Sequence, residues 1–167
     1  MDTAKALIAG IDIDGVLADP SHRVHYLEHT PKDWRAFFRT CNLDTVLPEG
    51  LARVNELVSA GVAIAYVSGR PHYVQGKTVT WLQEHGFPEA PMFLRPARDF
   101  RPAPALKREV YTRLRKEFDI HVIVDDDTLV VQSLRQAGFP VEHAQWYQPP
   151  SATDSALRVA QDQEGRT

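Results

Sequence analysis

The stretch ALIAGIDIDGVLAD, residues 6–19, decides how the rest of the chain is read. Ala6 to Ile13 is apolar enough to form a buried strand, yet Asp12 and Asp14 stand at its end with Gly15 directly after them. Burying one uncompensated carboxylate is unfavourable, and burying two side by side is worse. Either a positive group sits among them or one of them holds a proton.

Working outward, the same grammar repeats. VAIAYV (62–67), PMFLR (91–95), IHVIV (120–124) and PVEHAQW (140–146) read as further strands. Between them the pattern predicts a helix from Pro48 that closes at Gly61. A second runs from about Val74 to His85, and a third carries the Leu106, Val110, Leu114 stripe. A fourth extends from about Thr128 to Ala137. PKDWRAFFRT is expected to form a short helix from near Pro31, within a polar, aromatic and histidine-containing insert at about 20–46. Strands alternating with helices imply an α/β fold with a parallel sheet of about five strands covered on both faces. The folded domain is expected over 1–147, with 148–167 as a C-terminal tail whose Pro, Ser, Asp and Gln content favours fraying or disorder.

The bulk numbers narrow the class. A 167-residue chain with 43% hydrophobic residues is one domain's worth and can bury a real core. A formal net charge of −3 gives no global basic field for nucleic acid, though a local basic groove remains open. Cys41 is the only cysteine, so no intrachain disulfide forms, and it reads as a small buried side chain rather than a catalytic thiol. No apolar run is long enough to span a bilayer and no leader pattern opens the chain, so the expectation is a cytoplasmic protein with no membrane partner.

In parallel sheets, ligands bind outside the carboxyl ends of the strands. The residues there are Asp12-Ile13-Asp14-Gly15, Ser68-Gly69-Arg70 and Asp125-Asp126-Asp127. Acidic groups converging on one rim repel unless a cation joins them, and carboxylate oxygens with room left for a phosphate suit Mg²⁺. Ser68 can donate its hydroxyl to a phosphoryl oxygen, Gly69 lets backbone N–H groups come close, and Arg70 offers a planar fork. Lys107, expected in the first turn of its helix, can neutralise nucleophile and transferring group alike.

These residues carry a resemblance. IAGIDIDGVL, VAIAYVSGR, Lys107 and HVIVDDD resemble, in order, the four motifs of the haloacid dehalogenase-like phosphohydrolases, whose fold is Rossmann-like. More narrowly, residues 6–147 resemble the 3′-phosphatase domain of phage-type polynucleotide kinase/phosphatases. Arg23 lies eleven residues after Asp12, and Arg70 ends VSGR. In DFRPAPALK, Asp99 and Arg101 precede Lys107 by eight and six residues. One position departs, since Ala103 stands where that domain has an acidic residue. The resemblance implies a Mg²⁺-dependent phosphomonoesterase acting through an aspartyl-phosphate. Asp12 would be the nucleophile and Asp14 the acid/base, with Ser68 and Lys107 completing the catalytic set. Metal ligands would come from Asp12, the Asp14 backbone carbonyl and Asp125 or Asp126. Arg23, Arg70 and Arg101 would contact substrate.

The implied substrate is the 3′-phosphate of a nucleic-acid end or nucleotide, with a separate kinase or repair protein as partner. The insert has room only for a small cap, which leaves the site open to large substrates, and Trp34, Phe37 or Phe38 either stack on a base or pack the cap helix onto the core. A small-molecule phosphatase and a non-catalytic phosphate-binding module are the alternatives. Two other patterns are set aside. Gly76-Lys77-Thr78 lacks the glycine five residues earlier that a phosphate loop needs, and His22, His25 and His29 lack the acidic partner of a zinc helix.

Overall fold

The computed structural model describes residues 4–148 together with Leu157, Val159 and Ala160. Five parallel strands form the main sheet: β1 (Leu7–Ile11), β4 (Ala63–Pro71), β5 (Met92–Arg95), β6 (Asp119–Asp125) and β7 (Val141–His143). Their spatial order is β5-β4-β1-β6-β7, so β1 lies at the centre, as its near-continuous apolar run requires.

Alternation along the strands sorts the core into two layers. Ala9, Ile11, Ile64 and Tyr66 join Val54, Leu57, Trp81 and Leu82, the inward faces of α2 (Pro48–Ser59) and α3 (Gln75–Glu84). Ile8, Ala65, Val67 and Ile123 face the other way, onto Val110, Leu114, Val130 and Leu134 of α4 (Ala103–Glu117) and α5 (Thr128–Gln136). Each fully buried Ile or Leu contributes about 1.5–3 kcal/mol of transfer free energy. No helix among the described residues is long and apolar enough to cross a membrane.

Helix ends follow local chemistry. Pro48 occupies the first turn of α2, as expected. The cap helix α1 (Trp34–Arg39) starts later than near Pro31, because Asp33 accepts a hydrogen bond from Ala36 N (2.9 Å) and so fixes the N-cap. Asp127 caps α5 by accepting from Leu129 N and Val130 N. β4 runs four residues past the expected end at Val67, through Ser68, Gly69 and Arg70, so these residues sit in the strand rather than after it.

A two-stranded antiparallel sheet, β2 (Ala18–Asp19) with β3 (Thr45–Val46), closes the base of the cap. Both strands are too short to leave a periodic trace in the sequence. Between them a 3-10 helix (Ser21–Leu27) and α1 pack Val24, Leu27, Trp34, Phe37, Phe38 and Cys41 into a third cluster. Cys41 is fully buried there, as expected of a small apolar side chain. Leu157 and Ala160 are helical and buried against the same cluster. The remainder of the expected tail, apart from Gln148 and Val159, lies outside the described residues.

Gly50 holds α2 against the turn that follows β1. A Cβ placed there would lie 1.9 Å from the Val16 carbonyl oxygen, a backbone atom with no freedom to retreat. Gly50→Ala is therefore expected to destabilise the fold by about 2–3 kcal/mol, read from denaturant melts. A change under about 0.5 kcal/mol would show that the turn yields.

Candidate active site

Two charge clusters form at the carboxyl ends of the central strands. The first lies where β1 meets β6, after Asp12 N donates to Val124 O (3.0 Å). Asp12, Asp125 and Asp126 bring one carboxylate oxygen each within 4.8 Å of one another. The buried Lys107 ammonium donates to Asp12 Oδ2 (2.8 Å) and Asp125 Oδ2 (2.7 Å). α4 begins at Ala103, so Lys107 lies in its second turn rather than the first. Gly15 has φ +77°, and an ideal Cβ there would fall 2.1 Å from Asp126 Oδ2. Only glycine permits both the left-handed turn and this close approach.

The second cluster surrounds Asp14. Arg23 Nη2 and Arg70 Nη2 each donate to Asp14 Oδ1 at 2.6 Å. Both arginines are wholly buried. Asp44, a residue that sequence reasoning missed, holds them from the other side. It accepts from Arg23 Nε and Nη2 (both 2.7 Å) and from Arg70 Nη2 (3.0 Å). His22 Nε2 lies 2.8 Å from Asp44 Oδ1. Arg70 Nη1 donates to Thr78 Oγ1 (3.1 Å), and the Arg23 guanidinium lies over the Phe37 ring at 4.2 Å. Asp44 follows no predicted strand and belongs to no motif. Only its position beside two arginines that are distant in sequence gives it a role.

The expected site residues thus divide. Asp12, Asp125, Asp126 and Lys107 converge. The carboxylate of Asp14 turns to the arginines, which leaves only its backbone carbonyl for a cation. Arg23 and Arg70 lie against Asp14, and their guanidiniums are turned to Asp14, Asp44, Phe37 O and Thr78 Oγ1 rather than to open solvent. Ser68 is buried on β4, its hydroxyl accepting from Arg70 N (3.2 Å), two residues beyond the paired positions Ile11 and Tyr66. Arg101 is not brought to either cluster: it is half exposed and paired with Asp99 (2.7 Å) and Glu109. Trp34 is buried in the cap. Lys77 of the Gly-Lys-Thr sequence lies in α3 and donates to Arg39 O, tying that helix to the cap.

Electrostatics separate the two aspartates. Burial pushes Asp12 up to about 7, with Asp125 and Asp14 adding to the rise against the pull of Lys107. Burial also opposes ionisation of Asp14, but Arg23 and Arg70 outweigh it and hold this carboxyl down to about 2. Burial and the neighbouring carboxylates raise Asp126 well above the usual range. Asp126 Oδ1 is buried with no hydrogen-bond partner. A buried, unpartnered carboxylate oxygen beside two others is the chemistry of a hard-cation site, so the donor set fits a divalent ion.

This predicts a pH dependence. In the cation-free protein Asp12 binds its proton more tightly folded than unfolded, so stability falls as pH rises from about 4 through about 7. Melting in a chelator should give a lower Tm at about pH 8 than at about pH 5, and Mg²⁺ should restore it at the higher pH. A Tm indifferent to both would mean the carboxylates do not repel.

Comparison with known proteins gives two kinds of likeness. A family model described as polynucleotide kinase PNKP phosphatase domain matches residues 5–145. No curated protein matches the chain. Among solved structures, a chain of the Pnkp1/Rnl/Hen1 complex superposes with TM-score 0.70 at 18% identity, over 86% of this chain and 47% of that one. This chain therefore spans about half the length of that relative. The class C acid phosphatase of Bacillus anthracis with tungstate bound gives 0.64 at 16% identity, over 95% and 80%. A D,D-heptose 1.7-bisphosphate phosphatase from B. bronchiseptica, complexed with magnesium and phosphate, gives 0.50 at 17% identity, over 81% and 78%.

Proposed function

Because the chain belongs to the polynucleotide kinase PNKP phosphatase domain family, we propose that it removes a 3′-phosphate from a nucleic-acid end or nucleotide. The observation that carries this reading is the division of labour between two aspartates one residue apart. Asp12 lies on a lysine inside a cation-binding cluster, and Asp14 lies on two arginines outside it.

Asp12, Asp125, Asp126 and the Asp14 carbonyl would hold the divalent ion. Mg²⁺ is supported by the oxygen-only donor set and by the magnesium-bearing fold neighbour. When bound, it supplies positive charge that keeps the carboxylates ionised and offsets charge on the phosphoryl oxygens. Asp12 then attacks phosphorus in line and forms an aspartyl-phosphate, while Lys107 stays paired with its oxygen. Asp14 gives a proton to the leaving oxygen and later takes one from water. Held at about 2 by its arginines, it cannot carry that proton. An arriving phosphate that draws Arg23 or Arg70 away raises its affinity for the proton at the step that uses it. Ser68 and the released arginine then stabilise the equatorial oxygens.

The insert between β2 and β3 is short, with room for a small cap only, which supports a polymer end as substrate. The Pnkp1 neighbour is part of a Pnkp1/Rnl/Hen1 RNA repair complex, and on that likeness we propose a kinase or other repair protein as partner. The lone buried Cys41 asks nothing of an oxidising compartment, which supports a cytoplasmic setting.

Phosphate release in Mg²⁺ from a 3′-phosphorylated oligonucleotide, its 5′-phosphorylated counterpart, mononucleotides and sugar phosphates tests the reading. The 3′-phosphorylated end is expected to lead by at least about tenfold in kcat/KM, roughly 1.4 kcal/mol. Faster turnover of a sugar phosphate would transfer the protein to the small-molecule phosphatases. Tight phosphate binding without turnover would make it a binding module.

A further inference from the structure

We propose that the apolar cleft between the cap and the loop after β5 is a nucleobase subsite, seating the base of the nucleotide whose phosphate is removed. The inference rests on the nucleic-acid reading above and adds to it a site that selects the terminal nucleoside.

The cleft encloses about 350 Å³, within the range of small-ligand pockets. Its walls come from three separate parts of the chain: Trp34 and Phe38 from α1, Tyr73 from just beyond β4, and Phe100 from the loop after β5. Trp34 and Phe38 stack with ring centroids 5.8 Å apart and are nearly buried, a rigid wall backed by the cap core. Tyr73 and Phe100 are 61% and 73% exposed. Large aromatics this exposed along an apolar cleft offer flat faces on which a planar π-system can lie.

Charge points the same way. Arg95 and Arg98 line the loop side of the cleft. Arg95 Nη1 donates to Arg101 O (2.6 Å) and Asp99 O (3.2 Å), which pins the loop in place. Arg98 is exposed and holds φ +65°, a left-handed conformation unusual for a side chain of this size. The one acid on that wall, Asp99, is neutralised by Arg101. An aromatic slot with a net basic rim is the arrangement that takes a base and its flanking phosphodiester, whereas a sugar phosphate has no face for the rings.

Position completes the argument. Pro71 lines the cleft, and the residue before it is Arg70, which reaches Asp14. α1 supplies Trp34 and Phe38 to the cleft, and Phe37 between them supports the Arg23 guanidinium. Both walls therefore continue into the arginines of the phosphate site. In the strand order the cleft lies on the β4–β5 side of Asp14, and the acidic cluster lies on the β1–β6 side.

The test compares two 3′-phosphorylated oligonucleotides, identical except that one carries an abasic terminal residue. The native enzyme is expected to favour the base-bearing end by roughly tenfold in kcat/KM, the effect of one stacked base. In a Tyr73→Ala/Phe100→Ala double variant that ratio should fall to about one. Equal turnover of both ends by the native enzyme, or a preference that survives the double substitution, would overturn the subsite and leave the 3′-phosphatase reading standing. A binding arm works without turnover. The Asp12→Asn protein should quench the fluorescence of a terminal 2-aminopurine 3′-phosphate at least about threefold, and the same protein carrying both alanines should not. Quenching without any 3′-phosphate turnover by the native enzyme would keep the subsite and remove the activity; unchanged fluorescence would remove the subsite.

Discussion

Asp12→Asn is expected to lower phosphate release by roughly 10⁴-fold or more, the scale seen when a covalent nucleophile is removed. The substitution keeps the shape of the side chain and its place beside Lys107, so the loss reads out the carboxylate oxygen itself. It also relieves repulsion, since Asp12 shares the buried lysine with Asp125 and lies beside the carboxylate of Asp126. Tm in a chelator should accordingly hold or rise, while the Tm gain on adding Mg²⁺ shrinks. A variant that retains turnover within about tenfold of the native protein would remove Asp12 from the chemistry. One that is both inactive and unfolded would be read from its melting curve, and Asp12→Glu would then serve as the folded, charge-preserving comparison.

Asp44→Ala is expected to destabilise the protein by about 3–5 kcal/mol, the effect of breaking a buried ion-pair network from one side. As folded, two arginines and two aspartates balance to zero charge in a fully buried space. Without Asp44, Arg23 loses the partners of its Nε and one Nη2 bond, Arg70 loses one, and a net positive charge stays buried. Both guanidiniums then have Asp14 as their one carboxylate partner and hold its proton affinity lower still, so what survives of activity should shift to lower pH, where Asp14 can carry its proton. Chemical denaturation measures the first effect. A change below about 1 kcal/mol would show that water enters the cluster and that Asp44 is not its anchor.

The comparison of Asp12 with Asp44 shows what a sequence can and cannot state. Asp12 announces itself because an apolar strand run ends abruptly in charge, and the same break recurs at Ser68 and Asp125. Because every strand of a parallel sheet points the same way, these breaks must meet at one edge, and the site follows from the alternation of strands and helices alone. Lys107 is legible as a cation near that edge, although its place in the helix shifts by a turn because α4 begins at Ala103. Arg101 is legible only as a spacing, and the loop folds it onto Asp99 and Glu109 instead.

The sequence by itself determined the α/β class and the carboxylates at the strand ends, because hydrophobic periodicity and strand-end charge are local properties. Tertiary structure alone decided that Asp14 and Asp12 part company, that Asp44 anchors both arginines, and that Trp34, Tyr73 and Phe100 enclose one cleft. Those pairings join segments that neither neighbour one another in sequence nor share a period. Buried charge is settled by which partner lies within about 3 Å, and that distance exists only after the chain has folded.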